Sequence, residues 1–354
     1  MNPIIPSSLS QAPALRNGKT VAQAAASGAV PDSAAARPSL SVVIPVYNSA
    51  EILPALLPRL QAVLAALTAH YEIILVNDGS RDHSWQVASS WAQRCREIVA
   101  IDLMRNYGQH NALLCGIRAA QHEVIITMDD DLQHPPEEIP KLLAKLDEGY
   151  DVVYGTPQQE QHGLWRDLAS VVTKIALRSA MGAETARHVS AFRAFRTQVR
   201  DSFSPYEGRY VAIDVLLTWG TNRFAFLAVD HRPRSVGKSN YTLRKLITHA
   251  LNLITGFSTV PLQFASVIGF VFAFFGMTVL FYVVARYLLL GTSVPGFPFL
   301  ASVIAIFSGA QLFALGVIGE YLARLHFRAM KQPTYAVRQV WANHAADESG
   351  KPTQ

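Results

Sequence analysis

The sequence predicts an α/β protein, a parallel sheet with helices on its faces, that continues into two transmembrane helices near its carboxyl end. Three observations support this class. Short apolar, β-branched runs alternate with helix-patterned stretches from residue 40 to residue 154. Polar signatures follow three of those runs, at the strand ends where a parallel sheet gathers its ligands. Two apolar segments, Leu262 to Ala285 and Phe297 to Ile318, contain no charged residue.

Taken in order, the first 38 residues are rich in Ala, Pro and Ser and lack the continuous apolar core of a signal peptide. A disordered cytosolic tail is expected at 1–38. Strands are predicted at Leu40 to Val46, Glu72 to Val76, Ile98 to Leu103, Val124 to Met128 and Val152 to Tyr154. Helical periodicity lies between them at Ile52 to Leu67, Trp85 to Arg94, Ala112 to Ala120 and Ile139 to Leu146. The globular domain is assigned to 39–240, with the less regular part from about 155 to 225 covering the front of the sheet. Within 241–258, Leu243, Leu246, Ile247, Ala250, Leu251 and Ile254 share one helical face, as in an amphipathic juxtamembrane helix. The two spans occupy 259–319, and 320–354 forms a cytosolic juxtamembrane segment and tail.

Hydrophobic residues make up 50% of the chain and charged residues 16%, which is apolar for a soluble protein and is explained by the two spans. A net charge of +5 asks for an anionic partner. No nucleic-acid motif is recognisable, so lipid and phosphate are the expected partners rather than nucleic acid. Cys95 and Cys115 have neither metal-ligand nor redox spacing, which fits a reducing compartment without a disulfide framework.

Each apolar segment is roughly 22 to 24 residues long, enough to cross a hydrocarbon core of about 30 Å. Arg244 and Lys245 precede the first, Arg324, Arg328 and Lys331 follow the second, and the connection holds only Arg286. The positive-inside rule then puts both termini and the globular domain in the cytoplasm, with the 286–296 loop outside. The expected location is the cytoplasmic (inner) membrane. The alternative, two buried helices of a large soluble fold, fits poorly because such helices seldom run this long without charge.

The chemistry concentrates after the fourth strand, in Asp129, Asp130, Asp131, Leu132, Gln133, His134 and Pro135. Three carboxylates at the end of a buried strand are mutually unfavourable, and a divalent cation bridging an anionic substrate relieves them. Pro45, Tyr47 and Asn48 follow the first strand, and Asn77, Asp78, Gly79 and Ser80 the second. Gly79 suits a tight turn, and Ser80 is expected to cap the next helix. Arg232, Arg234, Lys238 and Ser239 form a basic, Gly-containing stretch before the membrane, suited to gripping a phosphate. Their alternative role is as positive-inside residues without a ligand.

The segments VIPVYN (43–48), VNDGS (76–80), RNYGQHNALLCGI (105–117) and MDDDLQHPPEEIP (128–140) together resemble glycosyltransferase family 2. HRPRSVGKSNY (231–241) and the two spans resemble its polyprenyl-phosphate glycosyltransferases, the group of dolichyl-phosphate mannose synthase and bacterial undecaprenyl-phosphate sugar transferases. The resemblance implies a GT-A fold, built on a Rossmann-like sheet. It also implies inverting transfer of a sugar from a nucleotide sugar, a UDP-sugar rather than a GDP-sugar, to a polyprenyl (undecaprenyl) phosphate at the cytoplasmic membrane face. Membrane lipids are further partners, and self-association through the membrane helices, as in relatives, would make a homo-oligomer.

Carried over residue by residue, the resemblance implies that Asp129, Asp131 and Gln133 hold Mg²⁺ or Mn²⁺, with Asp129, Asp131 and Arg193 serving catalysis. Pro45, Tyr47, Asp78 and Asp130 would bind the nucleotide. Where the family usually has a glutamate after the Asn, Ser49 stands here, and Glu51 is expected to substitute in part. Arg232, Arg234, Lys238 and Ser239 would bind phosphate, with Arg193 and Arg196 as candidates for the same work. Relatives often read Gly-Asp-Phe-Arg where this chain has Ser190, Ala191, Phe192 and Arg193. The missing acid matters little for a phosphate acceptor, which is already close to a dianion near pH 7. Asp214 is an alternative acid or a buried structural residue, and Gly108, Gln109 and His110 start a helix or touch the ligand. His134 is expected beside the site or exposed.

Two other functions fit the sequence less well. A processive polysaccharide synthase would carry a Gln-x-x-Arg-Trp signature and more spans, and this sequence has neither. A non-catalytic membrane protein that binds nucleotide would explain Ser49 and Ala191 but not the intact acidic cluster.

Overall fold

The computed structural model describes residues 38–157, 188–208, 210–231, 259–291, 296–330 and 332–343. The basic stretch Arg232, Arg234, Lys238 and Ser239, the amphipathic segment 241–258 and nearly all of the amino-terminal tail lie outside the described residues.

The described strands form one eight-stranded sheet in the order β7-β5-β6-β4-β1-β2-β3-β8. Its first half alternates as expected: β1 (Leu40–Val46), α1 (Leu53–Leu67), β2 (Tyr71–Asn77), α2 (Ser84–Arg94), β3 (Ile98–Leu103), α3 (Gln109–Ala119), β4 (Val124–Thr127), α4 (Ile139–Asp147) and β5 (Val152–Pro157). Then follow β6 (Arg193–Arg196), α5 (Thr197–Asp201), α6 (Ile213–Leu217), β7 (Phe224–Val229), α7 (Val260–Leu290), α8 (Phe297–Ala329) and β8 (Val337–Ala342).

Pairing is parallel for β1 with β2 and β4, for β2 with β3, and for β5 with β7. Two strands make the sheet mixed. β6 runs antiparallel between β4 and β5, and β8 runs antiparallel along β3. Both come from outside the regular alternation, and β8 returns from beyond the membrane helices to lie along the sheet edge.

All seven residues of β1 are buried, as befits a central strand covered on both faces. Val42 and Ile44 pack with Leu53, Leu56, Leu57 and Leu60 of α1. Val43, Ile74 and Val76 pack with Leu113, Leu114 and Ile117 of α3. The period of two along a strand sends neighbours to opposite faces, so these are the two layers of the core. α3 lies close to the sheet at Gly116, where a Cβ would collide with the Val43 side chain.

The segments Val260–Leu289 and Ile306–His326 are long and apolar enough to cross a membrane, with mean hydropathies of 2.5 and 1.4. Helix α8 continues past the predicted end of the second span. Phe270 and Phe274 are 79% and 77% exposed, the outward aromatic surface that lipid would cover. Phe307 of α8 packs beside Gly276, with ring centroids 5.6 Å from Phe272 and 6.4 Å from Phe275. At the far end of α8, the Arg324 guanidinium bonds Glu320 at 2.8 Å and lies 4.8 Å from the centre of the Tyr210 ring, joining helix to globular domain.

Candidate active site

Three loops meet at the carboxyl ends of β1, β2 and β4. The parallel register aligns Val46 with Asn77 and Val43 with Thr127, so the polar segments after these strands emerge side by side. The main chain of Tyr47 donates to Asp130 Oδ2 at 3.2 Å, and the Ser49 hydroxyl donates to the same oxygen at 2.5 Å. Asn48 sits at φ +55°, a left-handed conformation that Asn tolerates, and its side chain accepts from the Arg81 amide at 2.8 Å. Ser80 accepts the Asn48 amide at 3.0 Å. The expected cap is therefore corrected: Ser80 ties two loops together, and Asp82 bonds the Ser84 amide at the start of α2 instead.

Asp78 is buried, and its two carboxylate oxygens accept the Tyr107 and Gly108 amides at 2.7 and 2.8 Å. Burial raises its pKa above the ordinary value, and the two amides partly offset this. Gly79, at φ +61°, meets the backbone of Asn106 so closely that no side chain fits. Tyr47 is exposed and free to stack on a planar ligand, Pro45 is buried in β1, and Glu51 is exposed. Ser49, not Glu51, reaches the acidic loop.

The acidic loop itself turns at Leu132, at φ +60°, and the Gln133 amide donates to Asp131 Oδ1 at 3.1 Å. Gln109, the first residue of α3, donates its side-chain amide to Asp129 Oδ1 at 2.6 Å. Burial, then the charges of Asp131 and Asp130, push the Asp129 pKa up to about 7, against the opposing effects of Arg193 and Gln109. Burial pushes Asp130 up to about 6 despite the Ser49 and Tyr47 hydrogen bonds. Such raised acids are unstable as neighbouring anions and favourable as ligands of a cation.

Among the described residues no three His, Cys, Asp or Glu side chains converge as a closed metal cage. Asp129 and Asp131 stand on either side of Asp130 in the loop, and the Gln133 amide bonds Asp131.

His134 is buried rather than exposed: it stacks on Phe192 at 5.3 Å and meets His231 edge-on at 5.0 Å. Burial, aided by His231, lowers its pKa to about 4. Asp230 donates its amide to Glu138 Oε2 at 3.3 Å. The chain that leads into Arg232 therefore starts against the acidic loop.

Arg193 is buried in β6, and its Nη1 donates to Asp214 Oδ1 in a buried ion pair. Tyr154 donates its hydroxyl to the same oxygen at 3.1 Å. Arg196 instead faces the main chain, donating to the Leu146 carbonyl at 3.2 Å. The sequence does not single out Tyr154. Its signal there is indirect: Arg193 and Asp214 are each flanked by apolar residues, and buried charges need partners.

The sequence profile described as Glycosyl transferase family 2 matches residues 41–199. Undecaprenyl-phosphate 4-deoxy-4-formamido-L-arabinose transferase from Enterobacter sp. (strain 638) is 37% identical over 319 residues, 89% of this chain and 97% of the relative. Its namesake from Yersinia enterocolitica is 37% identical over 304 residues, 85% of this chain and 93% of that one. A solved structure of glucosyl-3-phosphoglycerate synthase from Mycobacterium tuberculosis, with 18% identity, superposes with a TM-score of 0.47 over 62% of this chain and 78% of its own. The family match over 41–199 and the nearly full-length matches to both transferases agree: this GT-A chain belongs to glycosyltransferase family 2, in its polyprenyl-phosphate sugar transferase group.

Proposed function

We propose that this protein transfers a sugar from a UDP-sugar to undecaprenyl phosphate at the cytoplasmic face of the inner membrane, with inversion at the anomeric carbon. The observation that carries the reading is the meeting of the Tyr47, Asp78 and Asp129 to Asp131 loops at one end of the sheet, in a chain with two helices fit to span a bilayer. The relatives' names supply the acceptor, undecaprenyl phosphate, and the first sugar to test, 4-deoxy-4-formamido-L-arabinose.

In this reading Tyr47, Pro45 and Asp78 frame the nucleotide, and Asp130 locks the base-binding loop to the acidic loop. Asp129 and Asp131, with Gln133, hold Mg²⁺ or Mn²⁺, which supplies positive charge where negative charge builds up on the leaving diphosphate. Arg193 adds a buried positive charge that opposes the rise of the Asp129 pKa. Arg232, Arg234, Lys238 and Ser239 bring the lipid phosphate from the membrane side. The acceptor needs no strong general base, because a phosphate monoester is already close to a dianion near pH 7. Holding two anions within reach of each other is then the main catalytic task.

The test is to incubate membranes containing the protein with undecaprenyl phosphate, Mg²⁺ or Mn²⁺ and a panel of nucleotide sugars led by UDP-4-deoxy-4-formamido-L-arabinose. Mass spectrometry should find one glycosylated lipid that EDTA abolishes. Nucleotide binding without product from any donor would replace this reading with the non-catalytic one.

A further inference from the structure

Arg193 is only 2% exposed and lies opposite Thr127 of β4 and Tyr154 of β5 in the sheet register. Asp214 takes its Nη1, and Tyr154 bonds the same Asp214 oxygen. The Tyr154 ring is stacked with Phe224 and Phe226 at 6.4 and 6.0 Å, and the guanidinium carbon lies 5.7 Å from its centre. Tyr154 is fully buried and Asp214 nearly so, and the ion pair holds the guanidinium on that side. A guanidinium carries five N–H donors. Its Nε is buried and has no hydrogen-bond partner among the described residues.

A buried charged donor left unmatched is costly, and a lone buried ion pair is rarely worth its desolvation. Both features make sense if a ligand completes the arrangement. In the register of β4 and β6, Arg193 stands opposite Thr127, two residues before Asp129, so its strand position is at the start of the acidic loop.

We infer that Asp214 and Tyr154 are positioning residues, which grip one part of the Arg193 guanidinium so that its Nε meets a phosphate oxygen of the donor diphosphate or of the acceptor monoester. This rests on the proposed function for the identity of the phosphate. Asp214 thereby gains a role other than that of a base, and Tyr154 one that its burial alone does not suggest.

The experiment uses the full chain in detergent with the variants Arg193→Ala, Asp214→Asn, Asp214→Glu and Tyr154→Phe. Equilibrium binding of UDP with Mn²⁺ reads the donor arm, binding of farnesyl phosphate reads the acceptor arm, and both are measured without turnover. Arg193→Ala and Asp214→Asn should weaken the same one of these two ligands, and turnover should fall about 100-fold, as for a misplaced group. Asp214→Glu should recover part of the loss. Added guanidinium should partly rescue Arg193→Ala but not the double variant Arg193→Ala/Asp214→Asn, because the carboxylate that seats it is gone.

Equal rescue of single and double variants would overturn the inference, and so would an Asp214→Asn protein with unchanged affinities and turnover. If Asp214→Asn does not fold, Tyr154→Phe decides: a loss of about tenfold is expected for one hydrogen bond, and unchanged binding in both arms overturns the proposal. A wild-type protein that binds these ligands and yields no glycosylated lipid would count against the function instead, while the two binding arms would still read the positioning.

Discussion

The hydroxyl of Ser49 bonds the carboxylate of Asp130 across 81 residues of sequence, joining the loop after β1 to the acidic loop after β4. Tyr47, which stands exposed on the first loop, is fixed to the same carboxylate through its amide. Ser49→Ala removes one of the two donors. A hydrogen bond to a charged group contributes about 1.5–3 kcal/mol, so UDP affinity should fall roughly 10- to 100-fold while Mn²⁺ affinity changes little. Calorimetric titration separates the two. An unchanged UDP affinity would show that the loop holds its shape without Ser49.

The acidic loop makes the metal-free protein sensitive to pH in a direction opposite to that of salt-bridged acids. Asp129 at about 7 and Asp130 at about 6 lie above the ordinary carboxylate value of 3.8. Between about pH 4 and 7 the folded chain therefore binds more protons than the unfolded chain, and its stability falls as pH rises through that window. In EDTA the thermal transition should drop from pH 5 to pH 8. Mn²⁺ at a hundred times its Kd should add about 2.7 kcal/mol at pH 8, where the carboxylates are ionised, and little at pH 5. Asp129→Asn should raise stability in EDTA at pH 8, abolish the Mn²⁺ effect and lower transfer about 1,000-fold. Equal Mn²⁺ stabilisation at both pH values would remove the acidic loop from the metal site.

Much of this arrangement can be read in the sequence, because it depends on local pattern. β1 to β5 lie within a few residues of their predicted limits, since buried parallel strands read as short apolar runs. The acidic loop announces itself by following one. β6 is only four residues long and carries an arginine at each end, so no periodicity marks it. β8 pairs with a strand more than 230 residues away, and its Val337, Val340 and Trp341 are exposed on the sheet edge. Periodicity reports which face is buried and not which partner lies there. For that reason the hold of Asp78 on Tyr107 and Gly108, and of Asp214 on Arg193, emerge only from the fold.

Gln109 supports Asp129 without being one of the acids. Its amide holds one carboxylate oxygen at 2.6 Å and opposes the rise in the Asp129 pKa. Gln109→Ala should therefore weaken Mn²⁺ binding about 10- to 100-fold, the usual effect of losing an outer partner of a metal ligand. Gln109→Glu should be worse at pH 8, because a carboxylate would face Asp129 where an amide donor now stands. The comparison of Mn²⁺ affinity at pH 8 decides, and a Gln109→Glu protein that binds more tightly would make residue 109 a ligand rather than a support.

The position of α3, and with it Gln109, depends on Gly116. A Cβ at this position would collide with Val43 Cγ1 and press on Val76 Cγ2 at 3.1 Å, both in the centre of the sheet. Gly116→Ala must push α3 outward, at a cost of about 1–3 kcal/mol despite the better helix propensity of Ala. Because the helix start moves with it, Mn²⁺ affinity should fall as well, although residue 116 is far along the helix from Gln109. Val43→Ala in the same chain frees the space, so the double variant should regain part of the lost stability and Mn²⁺ affinity relative to Gly116→Ala alone. Additive losses in denaturant unfolding of the double variant would mean that α3 accommodates the methyl elsewhere, and that its contact with β1 does not set the position of Gln109.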